Sequence, residues 1–259
     1  MRLSGIVLIA AVSTLQAQSG SPAPPDFSGV YYPINPFGPP AGRGGPPPPP
    51  DARKGPPPRP TRSAPISDGS LGRAPNAPLL TPEYMAKWEA IRKSRMSGSS
   101  ESDLSAKCFP PGMPAMMNMA YGMEVMQNSD KITFFSELND ALRRVYLDGR
   151  KPSQKVLDDP TYAGYSTGHW ESDTLVVDTV ALRDNTYIEG FSPHSDEITV
   201  KERIRFASPG LLEDRITVID PKALVKPWET VKTYRKAKPG TGADELREFA
   251  CPEGLADAK

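Results

Sequence analysis

The sequence predicts a mainly β protein, an antiparallel up-and-down barrel or a barrel-like sandwich of the lipocalin-like kind. Three observations predict it. From residue 104 onward the chain breaks into short runs such as KITFFSEL, TLVVDTVAL, EITVKERIRF and LLEDRITVID, rich in β-branched and aromatic residues. Turn clusters (NSD, DGRKPS, ESD, SPG, DPK) separate these runs at hairpin spacing. No second long amphipathic helix appears, so a βαβ alternation with a parallel sheet is excluded. Eight or nine such strands suffice to close a small barrel around a central cavity.

The elements before this region follow in order. Met1-Arg2 and the apolar run Leu3 to Leu15 read as a secretory signal peptide, residues 1–17, with cleavage after Ala17. No cysteine sits near that point to carry a lipid anchor, and no other segment is apolar enough for stable membrane insertion. The expected location is periplasmic or secreted. Residues 18–78 hold most of the 31 prolines of this 259-residue chain. Stretches such as PFGPPAGRGGPPPPP lack backbone donors and apolar bulk, so a largely disordered arm is expected, a spacer with scope for contact with an envelope protein. One island in it, DFSGVYYP (26–33), alternates and could add a strand to the distant domain. Residues 79–103 form a helix and a loop. In LLTPEYMAKWEAIRKSRM, Thr81 suits the N-cap, Pro82 the first helical position and Glu83 the helix dipole. Met85, Trp88 and Ile91 recur at helical spacing, as a packing stripe does. The barrel-like domain occupies 104–254.

Composition narrows the functions. The chain carries 31 basic and 31 acidic residues, a formal net charge of zero. That leaves no electrostatic footprint for nucleic acid. No glycine-rich phosphate loop lies between a strand and a helix, so no cofactor is predicted. Cys108 and Cys251 are the only cysteines. In an exported chain such a pair points to a disulfide. It would close a loop of about 140 residues, for which chain entropy gives about 5 kcal/mol.

GYSTG (164–168) has the G-x-S-x-G pattern of a nucleophile elbow. An elbow needs a helix starting directly under the serine. Here HWESDTLVVDTV follows, which is strand, short turn and strand. Gly164 and Gly168 are better read as relief where a strand bends in a closed sheet.

Alternation exposes the candidate chemistry. Ile198, Val200, Glu202, Ile204 and Phe206 share one face, and Leu212, Asp214, Ile216 and Val218 share another. Glu202 and Asp214 therefore point inward and come within reach of each other across a Ser208-Pro209-Gly210 hairpin. Inward carboxylates are costly unless paired. They are either an acid/base pair, with His194 or His169 as helper, or an ion pair with Arg143, Arg144 or Arg203. The histidines lack the local spacing of a metal motif, and no metal is predicted. GMPAMMNMAYGMEVMQN concentrates six of the nine methionines, which suits either core filling or a permissive apolar wall. Tyr121, Met123, Phe134, Phe135, Tyr146 and Trp170 would line an apolar lumen if they faced inward.

Several stretches together resemble a family of exported bacterial β-rich proteins. Asp26 to Tyr31 matches its D-F-S-G-V-W-like start, Leu80 to Tyr84 its L-T-P-E-Y helix and Cys108 to Pro114 its C-x-P-x-G-x-P segment. Gly164 to Thr179 matches its G-x-S-x-G-x-W-E-x-D-T-L-V-V-D-T strand pair. The resemblance spans about 26–251. It implies a signal peptide and no particular activity. This chain departs from the pattern at Tyr31, where it has Trp, and at Ser172, where it usually has Gly. Its proline-rich insert is also longer.

The expected function is binding of a small apolar or amphipathic molecule in the barrel cavity. An acid/base enzyme of isomerase, hydratase or cyclase type in the same cavity is the alternative, and an envelope scaffold the third reading.

Overall fold

The computed structural model describes residues 23–34, 73, 76–118 and 121–249. The signal-peptide reading, most of the proline-rich arm and Cys251 lie outside the described residues, so the Cys108–Cys251 bond stays an expectation.

Nine strands form a closed barrel in sequence order. They are β1 (Gly29–Pro33), β2 (Met123–Gln127), β3 (Lys131–Ser136), β4 (Ala141–Tyr146) and β5 (Tyr165–Glu171), then β6 (Thr174–Val180), β7 (Thr199–Ser208), β8 (Leu211–Ile219) and β9 (Trp228–Lys236). The mainly β, barrel expectation is borne out. The island at 26–33 does more than add a strand. β1 pairs with β2 on one side and β9 on the other, and so closes the ring. A closed ring has no exposed edge to template aggregation.

One pairing departs from the up-and-down pattern. β4 and β5 run parallel, with Val145 opposite Ser166 and Tyr146 opposite Thr167. The cause is the connection 147–164, which returns along the barrel instead of turning tightly. It contains a short helix, α2 (Gln154–Leu157), capped by Ser153. Gly168 sits at this seam. A Cβ there would lie 2.9 Å from Val145 Cγ1 and 3.1 Å from the Val176 carbonyl oxygen. Gly164 takes φ +68, and a Cβ would meet Leu182 Cδ2 at 2.7 Å. Gly164 is thus required by its left-handed backbone and Gly168 by the close approach of the neighbouring strands.

The helix α1 (Pro82–Met96) starts where Thr81 and Pro82 predict. The Thr81 hydroxyl does not cap it; it donates to the Lys222 carbonyl at 3.0 Å and ties the helix to the β8–β9 loop. Tyr84 is buried, and Met85 and Trp88 pack on the core.

Each end of the barrel is closed differently. At one end Phe27 meets Trp170 and Phe206, with ring centres 5.2 and 5.1 Å apart. At the other end, the mouth, the methionine-rich stretch turns away from strand. Pro110, Pro111 and Pro114 cannot donate to a ladder, and Ala115–Asn118 forms a 3-10 turn that buries Met116 and Met117. Only Met123–Gln127 of that stretch is strand. The Tyr234 hydroxyl donates to the Met117 carbonyl and fixes the turn over the barrel.

Candidate functional site

The lumen holds a layer of charge. Strand alternation sends Arg143, Ser166, Thr179, Glu202 and Asp214 inward, and all five are buried. Arg143 Nη1 donates to Glu202 Oε1 at 2.8 Å, and Nη2 donates to Oε2 in a bidentate pair. The same guanidinium donates from Nε to Ser166 Oγ at 3.1 Å and from Nη2 to Thr179 Oγ1 at 3.0 Å. Ser166 and Thr179 hydroxyls are 2.8 Å apart. Phe134 lies below the guanidinium, 5.5 Å away. The serine of GYSTG is therefore a fixed partner of a buried arginine, inside a strand and away from any histidine.

Asp214 is also fully buried, with 0% exposure, but neither carboxylate oxygen has a hydrogen-bond partner among the described residues. Burial pushes its carboxyl well above the usual carboxylate range. The charge of Glu202 raises it further, while Arg143 and Lys232 pull the other way. Protonated, Asp214 has a proton to offer Glu202, which contributes to the same upward shift. Tyr234, beside this pair, is also held well above its ordinary value, by burial first and then by the two carboxylates.

The predicted helpers stand elsewhere. His169 is exposed on the outer face of β5, with Nε2 3.4 Å from Glu171 Oε1. His194 is buried in the β6–β7 loop. Its Nδ1 faces the Ser195 carbonyl at 2.8 Å and its Nε2 the Thr186 hydroxyl at 2.7 Å. Desolvation lowers its pKa. That loop is pinned by Asp220, which accepts from the Ser195 backbone and hydroxyl, both at 2.7 Å. Neither histidine joins Glu202 and Asp214 in one constellation. Of the three candidate arginines, Arg143 forms the ion pair. Arg203 bridges Glu171 outside the barrel at 2.9 Å.

The predicted ligand residues do not share a wall. Phe134 and Met123 are packed in the core, and Trp170 belongs to the aromatic plug. Tyr146 lies in an outer groove at the β4–β5 seam, against Tyr165. Tyr121 is 44% exposed at the mouth. The lumen itself is filled by side chains. Glu202, Asp214, Ile204, Leu212, Val177 and Val145 all have 0% exposure, so no water-sized space touches them.

Open space lies at the mouth instead. A half-open cleft of about 330 Å³ is walled by Leu104, Pro111, Tyr121, Leu138 and Phe191, with Asp103, Asn118 and Glu189 among its lining. Glu189 Oε1 accepts from Asn118 at 3.1 Å and lies 3.5 Å from Lys232 Nζ. Its Oε2 is buried and has no hydrogen-bond partner among the described residues. Lys232 also sits opposite Asp214 across β8 and β9, so this one lysine stands between the cleft and the buried layer. Phe191 holds φ +61, rare for a bulky residue, and Arg95 stacks on its ring at 3.7 Å. Strain of this kind collects at functional sites.

Sequence reasoning offered Arg143 only as one of three arginines, and it missed Glu189. Arg143 had a signal, because Ala141, Arg143 and Val145 form one apolar row of β4. Glu189 had none, since it lies in a loop with no period to read.

No protein-family model matches the chain, and no curated protein matches it. Among solved structures it is similar to the fluorescent protein UnaG, at 15% identity and a TM-score of 0.27, covering 45% of this chain and 72% of that one. A mutant of UnaG gives the same identity and score, with 71% of its chain covered. The barrel is established by its own strand pairing, which closes without a gap from β1 back to β9.

Proposed function

We propose that this is an exported protein, periplasmic or secreted, that binds a small apolar or amphipathic molecule at the capped mouth of its barrel. The observation that carries the reading is the cleft of about 330 Å³, mostly apolar in its walls and with a few polar groups on one side. Small-molecule sites have this size and mixture. The packed lumen moves the site from the barrel interior to its rim. Glu202 and Asp214, sealed from solvent, then act as a structural layer that holds the wall in shape. The leader-like residues 1–17 support export, and the proline-rich arm would give the barrel reach towards an envelope partner.

The test is to fill the cleft. Ala115 lines it, and Ala115→Trp should occupy much of the space. With the full chain, the apolar dye N-phenylnaphthylamine should brighten on the native protein and fail to brighten on the variant, while far-UV circular dichroism stays the same. Equal dye binding by the folded variant would contradict the reading.

A further inference from the structure

We infer that the segment 252–259 of this chain docks in the outer groove at the β4–β5 seam and adds a short strand beside β4. β4 and β5 are paired only at Val145 with Ser166 and at Tyr146 with Thr167. Residues 141–144 therefore have a ladder on the β3 side alone. The Leu147 N–H donates to the Asp130 carbonyl at 2.8 Å, on that same β3 side. Backbone groups alternate between the two sides of a strand, so Val145, Arg143 and Ala141 also face β3, whereas Leu142 and Arg144 face the seam. The Leu142 N–H and C=O and the Arg144 N–H thus aim into the groove without a ladder partner among the described residues. The opposite wall is engaged elsewhere: Thr161 pairs with Ala181 and Arg183, and the Tyr162 carbonyl accepts from the Met113 N–H at 2.9 Å.

The groove holds about 370 Å³. Leu142, Tyr146, Tyr162 and Tyr165 give it apolar and aromatic walls, and Arg144 is the only charged residue among the described lining. Arg144 is exposed and forms no ion pair among the described residues. Extended peptides bind such places by main-chain pairing with a strand, and alternate side chains give the fit.

The described end of the chain leads there. Leu246 and Tyr32 both lie against Gly122. The Arg247 N–H donates to Glu137 Oε1 at 2.9 Å. Glu137 runs through the 3-10 turn Leu138–Asp140 directly into Ala141, the first residue of β4. The residues after 249 extend to about 33 Å, enough to pass Ala141 and run along Leu142 and Arg144. The expected Cys108–Cys251 bond points the same way, since Pro110 lines the groove. In PEGLADAK (252–259) every residue after Pro252 has an N–H to give, which the proline runs of the N-terminal arm lack. A period of two puts Glu253, Leu255 and Asp257 on one face. With Leu255 beside Leu142, one carboxylate reaches Arg144: Glu253 if the strands run antiparallel, Asp257 if they run parallel.

Amide hydrogen exchange of the full chain, read residue by residue by NMR, tests this. The Leu142 amide should exchange slowly. Leu255→Pro removes the apolar anchor and a backbone donor, and should speed that exchange about tenfold or more. The Arg143 and Val145 amides, held by β3, should stay unchanged and report an intact barrel. Arg144→Glu should also speed exchange at Leu142, and adding Glu253→Arg and Asp257→Arg should slow it again. Exchange at Leu142 as fast as in exposed loops of the native chain would overturn the docking, and that measurement needs no variant. Slow exchange that survives Leu255→Pro would overturn it too. So would protection that is lost when the native chain is diluted, as docking of a second copy's tail would give.

Discussion

Arg143 makes four hydrogen bonds inside the barrel, to both oxygens of Glu202, to Ser166 and to Thr179. Replacing one member of a buried ion pair strands the other, typically at a cost of about 3–5 kcal/mol. Arg143→Met should therefore lower stability by that much in urea denaturation. The double variant Arg143→Met, Glu202→Leu should recover most of the loss, because well-packed apolar residues replace such pairs without penalty. Asp214 makes a separate prediction. Its folded pKa lies above the ordinary value, so the folded state holds a proton that the unfolded state gives up. That contribution is full below about pH 3.9 and is lost as pH rises towards the raised value. Asp214→Asn removes it, so the variant should gain stability relative to the native protein as pH rises from about 4 to neutrality. A constant difference across that range would count against a protonated Asp214. His194 runs the other way. Its lowered pKa gives stability present above about 6.5 and lost as pH falls through the depressed value. The inward placement of Glu202 and Asp214 was legible, because a period of two in an apolar row fixes which face a side chain takes. The partner was not, because Arg143 on β4 lies three strands away from Glu202 on β7, and only closure of the barrel brings the two together across the lumen.

Turns and connections govern the elements. The β5–β6 hairpin joins Glu171 to Thr174 through Ser172 and Asp173. Ser172 holds φ +58, and Asp173 is not left-handed. That is the pattern of a II′ turn, whose first central position favours glycine. Ser172→Gly should raise stability by about 0.5–1 kcal/mol, the relief of a left-handed side chain less the extra entropy of an unfolded glycine. An unchanged or lower melting temperature would show that the serine side chain compensates for its backbone. The other hairpins follow the turn signals in the sequence. The parallel β4–β5 pair does not, because DGRKPS reads as a tight turn while the following residues carry the chain back along the barrel. The methionine-rich stretch is apolar enough for a strand, but Pro110, Pro111 and Pro114 at its start remove donors that pairing needs.

At the scale of the molecule, the barrel is a solid body with an open cleft at one rim. One end is stopped by the Phe27, Trp170 and Phe206 rings, the middle by the charged layer, and the mouth by the turn that Tyr234 fixes. Barrel closure was legible from strand number, and the alternating island at 26–33 marked the strand that completes it. A filled lumen was not legible, because whether inward side chains meet across a barrel depends on their packed volumes and not on their order. A methyl NMR titration of the full chain with N-phenylnaphthylamine separates the two places a ligand could go. The mouth reading predicts shifts at Leu104, Ala115 and Leu138, with Val145, Val177 and Leu212 unmoved. Shifts confined to Val145, Val177 and Leu212 would place the ligand inside the barrel and contradict it.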